Sequence, residues 1–285
     1  MTINHIRTRK AYYGLLVLFL YGVEGLKEKG EGINAFLIDM DGTICKGWQV
    51  IPGAIEFIQY LKDEKKPFVL LTNNSSASRK SYLYKMRTLG FDVDLEDILT
   101  STTATILYLQ AEHPKKSVYP LGTPDFCNEV RDAGILIASH DPDIVLLAFD
   151  RTITYEKINK AYHYLLNGAE FVCTHPDELC PTENGYDVDI GPFINILSSL
   201  TGVQPVIVGK PNVKMAEMAS RHMGVPLHSM AMIGDRLYTD MKMAWENGFT
   251  SILVLSGETV VADLMESKIE PDIVAASIAD FIDFF

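Results

Sequence analysis

The sequence has few basic residues for its length and no basic stripe. It contains 25 Lys and Arg residues against 37 Asp and Glu residues, which gives a formal net charge of -12. A protein that binds a large polyanion needs clustered positive charge, so this balance argues against nucleic acid as a partner. Phosphate chemistry in such an acidic chain would need a bound cation to offset the field of the carboxylates.

Cysteine is also scarce, and its spacing carries no metal or disulfide pattern. The four cysteines are Cys45, Cys127, Cys173 and Cys180. They form no CxxC pair and have no histidine partner at the spacing of a zinc site. We therefore expect reduced thiols that pack in the core of a cytoplasmic protein.

Long apolar runs are absent as well. The uncharged, mostly apolar stretch Ala11–Val23 has 13 residues, whereas a helix that spans a bilayer needs about 20. Basic residues precede it, as in a secretory signal, but no clear small-residue cleavage site follows. We expect residues 1–30 to be an N-terminal extension that the fold does not require, and no membrane span. Export or membrane association through residues 7–23 is the alternative.

From residue 34 onward, short apolar runs alternate with amphipathic stretches, a pattern typical of βαβ units and a parallel sheet. The strand candidates are Ala35–Asp39, Phe68–Thr72, Val118–Leu121, Ile144–Phe149, Glu170–Thr174, Val206–Val208, Met230–Ile233 and Ile252–Leu255. The helix candidates are Ala54–Lys65, Arg79–Leu89, Tyr155–Asn167, Val213–His222 and Asp240–Asn247. The whole pattern predicts an α/β protein.

Four of the predicted strands end in unusual polar clusters. These clusters are Asp39 with Asp41, Thr72-Asn73-Asn74-Ser75, Gly209-Lys210-Pro211, and Gly234-Asp235 with Asp240. Ligands of open α/β sheets bind beyond the carboxyl ends of the strands, so we expect the four clusters to serve one site. The middle of the chain alternates strands and helices but has none of these clusters. We therefore predict a core domain of residues 31–77 and 205–285, with residues 78–204 inserted as a second domain.

The first cluster, in Asp39-Met40-Asp41-Gly42-Thr43, is the most informative. Side chains two residues apart on a strand point to the same side, so Asp39 and Asp41 are expected to lie close together. Two crowded carboxylates cannot both stay ionised cheaply unless a cation neutralises one of them. This suits a metal-assisted reaction with Asp39 as the nucleophile and Asp41 as the proton carrier. The alternative is a pair of strand-end acids that cap the next segment.

The remaining clusters supply the other parts of a phosphoryl-transfer site. Thr72 offers a hydroxyl and Lys210 a compact positive charge. Asp39 and Asp235 are the predicted carboxylate ligands of Mg²⁺, and Asp240 would orient metal-bound water or Lys210 from outside the ligand set. Taken singly, the threonine motif is an ordinary N-cap loop and Gly-Lys-Pro a surface turn.

The order DMDGT, LLTNNS, GKP and GDRLYTD resembles the haloacid dehalogenase-like phosphatases, in their p-nitrophenyl phosphatase (NagD-like) branch. The resemblance runs from Asn34 to the C-terminus. It implies a Rossmann-like three-layer core with a parallel sheet and a large inserted α/β cap of the C2 type. It also implies Mg²⁺ as the cofactor.

The resemblance assigns roles to the motif residues. It makes Asp39 the nucleophile and Asp41 the acid/base, and the backbone carbonyl of Asp41 a metal ligand. Thr72 and Asn73 would bind the phosphate, and Lys210 and Asp235 would take the remaining roles.

The segment Cys173–Asp177 and the residues that follow resemble the cap loop that faces the core site in this branch. Four carboxylates make it acidic, which suits a polar, hydroxyl-bearing leaving group better than a second phosphate: Asp177, Glu183, Asp187 and Asp189. His175, Asp177 and Asp189 are the candidate residues of this loop. His175 is read either as a ligand or base, or as a structural histidine among loop prolines.

These inferences predict a Mg²⁺-dependent phosphatase that hydrolyses small phosphomonoesters through an aspartyl phosphate. Sugar phosphates and nucleoside monophosphates are the expected substrates, with p-nitrophenyl phosphate as a substrate in vitro. A phosphotransferase or mutase on the same scaffold is one alternative. A non-catalytic phosphate-sensing protein is another, although loss of Asp39 or Asp41 would have been its signature. Because cap domains often contact partners, a homodimer stays open, although no residue indicates one.

Overall fold

The computed structural model describes residues 32–182 and 185–282. The predicted extension of residues 1–30, and with it the export or membrane alternative based on residues 7–23, lies outside these ranges. Within the described part of the chain, no helix is both long and apolar enough to cross a membrane.

The elements alternate along the chain as the sequence pattern predicts. The strands are β1 (Ala35–Asp39), β2 (Cys45–Lys46), β3 (Gln49–Val50), β4 (Phe68–Thr72), β5 (Ile98–Thr100), β6 (Val118–Leu121), β7 (Ile144–Leu147), β8 (Glu170–Cys173), β9 (Leu179–Thr182), β10 (Gly185–Val188), β11 (Val206–Ile207), β12 (Met230–Gly234), β13 (Thr250–Val254) and β14 (Ile273–Ala275). The helices are α1 (Ala54–Asp63), α2 (Arg79–Thr88), α3 (Ser101–Glu112), α4 (Pro124–Asp132), α5 (Tyr155–Leu166), α6 (Gly191–Thr201), α7 (Val213–Met223), α8 (Lys242–Asn247) and α9 (Val261–Glu266).

A six-stranded sheet has the order β14-β13-β12-β1-β4-β5. The pairs β1–β12, β12–β13 and β13–β14 are parallel, with Leu37 opposite Met232. Every residue of β1 and of β12 is buried, as expected for strands covered on both faces. Because β1 and β12 are parallel neighbours, Asp39 and Gly234 end their strands at the same edge.

A four-stranded sheet has the order β11-β8-β7-β6, and the pairs β11–β8, β8–β7 and β7–β6 are parallel. Its core includes Leu121, Val145, Leu147 and Phe171 from the strands and Leu165 from α5. Its strands lie in the sequence between β5 and β12, so this sheet is inserted between strands of the first. The predicted α/β fold with a parallel-sheet core and an inserted α/β cap is thereby confirmed.

The chain divides into two compact units. Of the described residues, the first unit comprises those from 32 to Leu70, Lys85–Asp97 and those from Ser220 to 282, and the second comprises those within Leu71–Tyr84 and Ile98–Ala219. The predicted domain boundaries at residues 77/78 and 204/205 remain a prediction.

One predicted helix begins differently from the expectation. The sequence pattern predicted a helix over Asp240–Asn247, but Leu237–Met241 forms a π-helical turn and α8 begins at Lys242. A π turn widens the backbone ring by one residue, and such turns are frequent at functional sites. Here the turn carries Asp240.

Candidate active site

Three carboxylates converge in the first unit. Asp39 ends β1, Asp235 follows β12, and Asp240 lies in the π turn. Their side chains each offer an oxygen within 4.8 Å of the others, and the residues are only 8%, 2% and 0% exposed. Buried carboxylates cannot remain ionised together without a cation. Oxygen donors alone are the ligand set of a hard divalent ion such as Mg²⁺, so these residues fit one.

Two glycines make room for the Asp235 carboxylate. A Cβ atom at Gly42 or at Gly257 would overlap Asp235 Oδ2, and Gly42 also has a φ of +98°, which favours glycine. The backbone N–H of Glu258 donates to the same oxygen at 2.6 Å. The hydroxyl of Ser256 donates to the Gly42 carbonyl at 2.8 Å. The loops around Asp235 therefore fix its orientation through backbone contacts.

Arg236 supplies a local positive charge that the sequence analysis missed. Its backbone N–H donates to Asp240 Oδ2 at 3.2 Å, and its Nε lies 2.9 Å from Glu258 Oε2. Burial by itself would lower the pKa of the guanidinium, but Asp39 and the other anions beside it, Glu258 and Asp235 among them, raise that pKa above its usual value. Arg236 thus stays charged beside the acidic cluster. Its place next to Asp235 in GDRLYTD was the signal that could have found it.

Asp41 is not one of the three clustered carboxylates, and its side chain pairs with a lysine. Lys85 Nζ is 3.2 Å from Asp41 Oδ1, with the lysine side chain 16% and the aspartate side chain 43% exposed. Burial would lower the pKa of Lys85, but the Asp41 charge raises it. Lys85 lies in α2, and no local sequence pattern links it to Asp41. The pair of these two residues was therefore not predicted from the sequence.

Cys45 lies beside the same carboxylate. Its Sγ is 3.9 Å from Asp41 Oδ1. Burial, reinforced by the Asp41 charge, raises the pKa of the thiol to about 12. Cys45 is therefore a protonated, unreactive thiol near neutral pH. All four cysteines lie within the described residues, and none of them forms a disulfide.

The second unit brings together Thr72, Asn73 and Lys210, all of them buried. The Asn73 side-chain amide donates to the Lys210 carbonyl at 2.9 Å and accepts from the Lys210 backbone N–H at 2.9 Å. It also donates to Asp177, with Nδ2 3.2 Å and 3.1 Å from the two carboxylate oxygens. The Asn73 side chain is thus bonded to protein groups, whereas the Thr72 hydroxyl accepts from the backbone N–H of Asn74 at 3.2 Å.

His175 and Asp189 form a buried pair in the same unit. His175 Nε2 lies 3.2 Å from Asp189 Oδ1, and His175 Nδ1 lies 3.1 Å from the Thr174 hydroxyl. Burial lowers the pKa of His175. The Asp177 charge acts to raise this pKa, and the Lys210 charge lowers it further. This histidine is neutral near pH 7 and has the surroundings of a structural side chain.

The predicted cap-loop residues His175, Asp177 and Asp189 are brought together, with ligand atoms within 4.8 Å of one another. Each of them, however, contacts other protein groups. Asp177 accepts from Asn73, and Asp189 Oδ1 accepts from the backbone N–H of Ile190 at 2.7 Å. We assign these three residues to hydrogen bonds and contacts with other protein groups, and not to a second metal centre.

Comparison with known families gives two matches along the chain. The haloacid dehalogenase-like hydrolase profile matches residues 36–136, and a second profile, of haloacid dehalogenase hydrolase-like proteins, matches residues 207–281. The first matched segment contains Asp39 and Asp41. The second contains Lys210 and Asp235.

Individual relatives cover almost the whole chain. A dihydroxyacetone phosphatase of Corynebacterium glutamicum is 34% identical over 249 residues, which are 87% of this chain and 90% of that protein. The crystal structure of a 4-nitrophenylphosphatase from Thermotoga maritima is 37% identical, with a TM-score of 0.85 over 89% of this chain and 98% of that one. NagD from Escherichia coli K-12 is 29% identical, with a TM-score of 0.81 over 87% of this chain and 98% of that one.

Proposed function

The chain belongs to the haloacid dehalogenase-like hydrolases, in their p-nitrophenyl phosphatase and NagD branch, and we propose that it is a Mg²⁺-dependent phosphatase that works through a phosphorylated Asp39. The protein is a phosphoric monoester hydrolase that acts on small phosphate esters, as its relatives do. The metal, the intermediate and the residue roles are the proposal. The observation that carries it is the buried cluster of Asp39, Asp235 and Asp240.

Asp39 is the proposed nucleophile. One of its oxygens attacks phosphorus, a P–O(Asp39) bond forms, and the bond from phosphorus to the ester oxygen breaks. A nucleophilic carboxylate must be ionised, and the neighbouring Arg236 favours that form. The position of Asp39 at the end of a fully buried strand gives it a fixed direction of attack.

Asp41 is the proposed acid and base. It donates its proton to the leaving ester oxygen in the first half-reaction. It then accepts a proton from the water that attacks phosphorus and releases inorganic phosphate from Asp39. Its partial exposure supports this role, because a proton carrier must exchange its proton with water after each turnover.

The acidic cluster is the proposed metal site. Asp39, Asp235 and the backbone carbonyl of Asp41 would hold Mg²⁺, and Asp240 would orient the ligands from outside that set. A bound divalent cation would neutralise charge on the phosphoryl oxygens. The donors are carboxylate and carbonyl oxygens, which suit magnesium better than a softer ion.

Three residues of the second unit are the proposed phosphate ligands. The Thr72 hydroxyl and the backbone N–H of Asn73 would donate to phosphoryl oxygens, and Lys210 would offer its ammonium charge. The bonding of the Asn73 side chain to Asp177 and Lys210 supports the backbone N–H, and not the amide, as its phosphate donor.

The expected substrates are small esters whose leaving group carries hydroxyls, such as sugar phosphates and nucleoside monophosphates. The exposed Asp187 of the acidic loop supports this choice, since carboxylates accept hydrogen bonds from hydroxyls and repel a second phosphate. We place this selection in the predicted cap, residues 78–204. The four cysteines, none of which forms a disulfide in the described residues, favour a cytoplasmic location.

The test is phosphate release from a broad panel of phosphomonoesters, measured with Mg²⁺ and with a chelator. We expect release that depends on the metal and is fastest on small, hydroxyl-bearing esters. Release that a chelator does not reduce would contradict the metal assignment. Formation of new phosphate esters instead of free phosphate would favour a phosphotransferase, and binding without turnover would favour a phosphate sensor.

A further inference from the structure

The Lys210 backbone is held by a side-chain amide that comes from a distant part of the chain. Asn73 donates to the Lys210 carbonyl and accepts from the Lys210 N–H, each at 2.9 Å. The amide therefore engages both peptide groups of one residue, as a neighbouring strand would. Because Asn73 and Lys210 are 7% and 3% exposed, water does not compete strongly for these bonds.

Asp177 and the Lys210 backbone together fix the orientation of the Asn73 amide. The Asp177 carboxylate has only acceptor atoms, and both of its oxygens lie about 3.1–3.2 Å from Asn73 Nδ2. A flipped amide would set Oδ1 against the Asp177 carboxylate and the Lys210 carbonyl, and would set two donors against one another at the Lys210 N–H. Asp177 thus disfavours the flipped orientation, in which Asn73 cannot bond to Lys210.

The backbone on either side of this contact is packed tightly. The N–H of Gly209 donates to the Thr174 carbonyl at 2.7 Å. A Cβ atom on Gly209 would lie 2.5 Å from that carbonyl oxygen and 2.8 Å from Asn73 Oδ1. The Ser101 hydroxyl donates to the Asn73 carbonyl at 2.5 Å. Small displacements of Asn73 are therefore transmitted to the Gly209–Lys210 backbone.

We propose that Asp177 is a positioning residue for Lys210 that acts through Asn73, and not a residue that binds the leaving group. The inference rests on the proposed role of Lys210 in holding the transferred phosphoryl group. Asp177 lies on the loop that was predicted to recognise the leaving group. Under this proposal it instead supports the binding of the transferred phosphoryl group. The effect of Asp177 must then be the same for every ester.

The first test compares Asp177→Ala with the wild-type enzyme on p-nitrophenyl phosphate and on an alkyl phosphate that carries hydroxyls. A misplaced catalytic group costs on the order of a hundredfold, so we expect kcat to fall about tenfold to a hundredfold by the same factor on both esters. Asp177→Asn keeps an acceptor oxygen for Asn73 and should recover most of the rate. Asp132→Asn is the matched control, because Asp132 is an exposed aspartate for which no role in the site is proposed.

A loss confined to the hydroxyl-bearing ester, or one seen only in KM, would overturn the proposal, because it would mark Asp177 as a substrate contact. Equal rates for Asp177→Ala and wild type would overturn it as well. The variant Lys210→Ala distinguishes a failure of the proposed function from a failure of the positioning role alone. If it retains the wild-type rate, the proposed function fails. If it is inactive while Asp177→Ala is not, only the positioning role fails.

A double-mutant cycle provides the second test, with circular dichroism to confirm that each variant is folded. If Asp177 acts only through Asn73, then Asp177→Ala should cause no further loss of kcat in an Asn73→Ala background. Additive losses would show that Asp177 acts independently, and would overturn the proposal. Should Asp177→Ala not fold, Asp177→Asn and Asp177→Glu enter the same cycle and are held to the same criterion.

Discussion

Each of the two aspartates proposed to react has a cation near it. The charge of Asp39 raises the pKa of the neighbouring Arg236, and Lys85 Nζ lies 3.2 Å from Asp41 Oδ1. The surroundings nevertheless differ, since Asp39 is buried among carboxylates and Asp41 is half-exposed. The two residues thereby have the environments that a nucleophile and a proton carrier require.

Replacing Asp41 should affect substrates according to their leaving groups. An alkoxide needs a proton as it leaves, whereas nitrophenolate does not. For Asp41→Asn we expect kcat to fall by about 10²–10⁴-fold on an alkyl phosphate and much less on p-nitrophenyl phosphate. Steady-state kinetics on the two esters measures the difference. Equal losses on both would rule out Asp41 as the acid.

His175 should make the folded protein sensitive to acid. Its pKa is lowered from the ordinary value of 6.5, mainly by burial. The unfolded chain therefore binds a proton on this histidine below about pH 6.5 while the folded chain does not, so stability present above pH 6.5 is lost as the pH falls. Denaturant titrations should show the free energy of unfolding of wild type falling by up to about 1.4 kcal/mol per pH unit from this group.

The matched comparison is between His175→Gln and His140→Gln, since His140 lies in an exposed segment. The first variant should lose that part of the pH dependence below 6.5, and the second should keep it. Indistinguishable pH profiles for His175→Gln and wild type would show that His175 does not stay neutral when buried.

At the scale of elements, strand ends were more predictable than helices. Strand β1 coincides with the predicted Ala35–Asp39, because an unbroken apolar run that ends in a carboxylate has one plausible place in a parallel sheet. Helix α3 was not predicted, because its buried face contains Ser101, Thr102 and Thr105. Two of these hydroxyls are hydrogen-bonded: Thr105 donates to the Ser101 carbonyl at 2.6 Å, and Ser101 donates to the Asn73 carbonyl. Because hydroxyl side chains occupy the buried face, the apolar periodicity that signals a helix is missing.

The motif residues of the candidate site were found from the sequence, whereas their supporting partners were not. Carboxylates, a threonine and a lysine at strand ends are recognisable residue by residue. Lys85 beside Asp41, and Asp177 beside Asn73, are contacts between segments far apart in sequence. No local pattern encodes such pairs, because they depend on how the chain folds back on itself.

The turn at Gly209 offers a test of the link between element packing and catalysis. Gly209→Ala would place a Cβ atom against the Thr174 carbonyl and Asn73 Oδ1. We expect a stability loss of about 1–3 kcal/mol from overpacking, together with a reduced kcat because Lys210 is displaced. Thermal melting and steady-state kinetics measure the two effects. Wild-type values of both would show that the backbone relaxes at no cost.

At the scale of the whole molecule, the chain is acidic, but two of its cationic side chains lie beside the aspartates proposed to react. The formal net charge is -12, yet Arg236 and Lys85 each lie beside an aspartate proposed to react. An anionic substrate approaching such a protein is repelled at long range and attracted at short range by these groups and by Lys210. Metal binding should therefore matter for affinity as well as for rate.

The N-terminal segment should be dispensable for the reaction. Residues 1–30 precede the matched family segment, which begins at residue 36, and they include none of the proposed site residues. A chain that starts after residue 30 should keep the wild-type kcat and melting temperature. Gel filtration, melting and kinetics on the two chains test this. A large loss of activity in the shortened chain would show that the segment contributes to the catalytic unit.

The central claim is that Asp39 carries the phosphoryl group, and the most direct measurement is metal-dependent phosphate release by wild type and Asp39→Asn, side by side. We expect the variant to lose turnover on every ester while it still binds phosphate esters, as isothermal calorimetry would record. Loss of a covalent nucleophile typically costs several orders of magnitude in rate. Retention of more than about 1% of the wild-type rate by a folded Asp39→Asn protein would contradict the account.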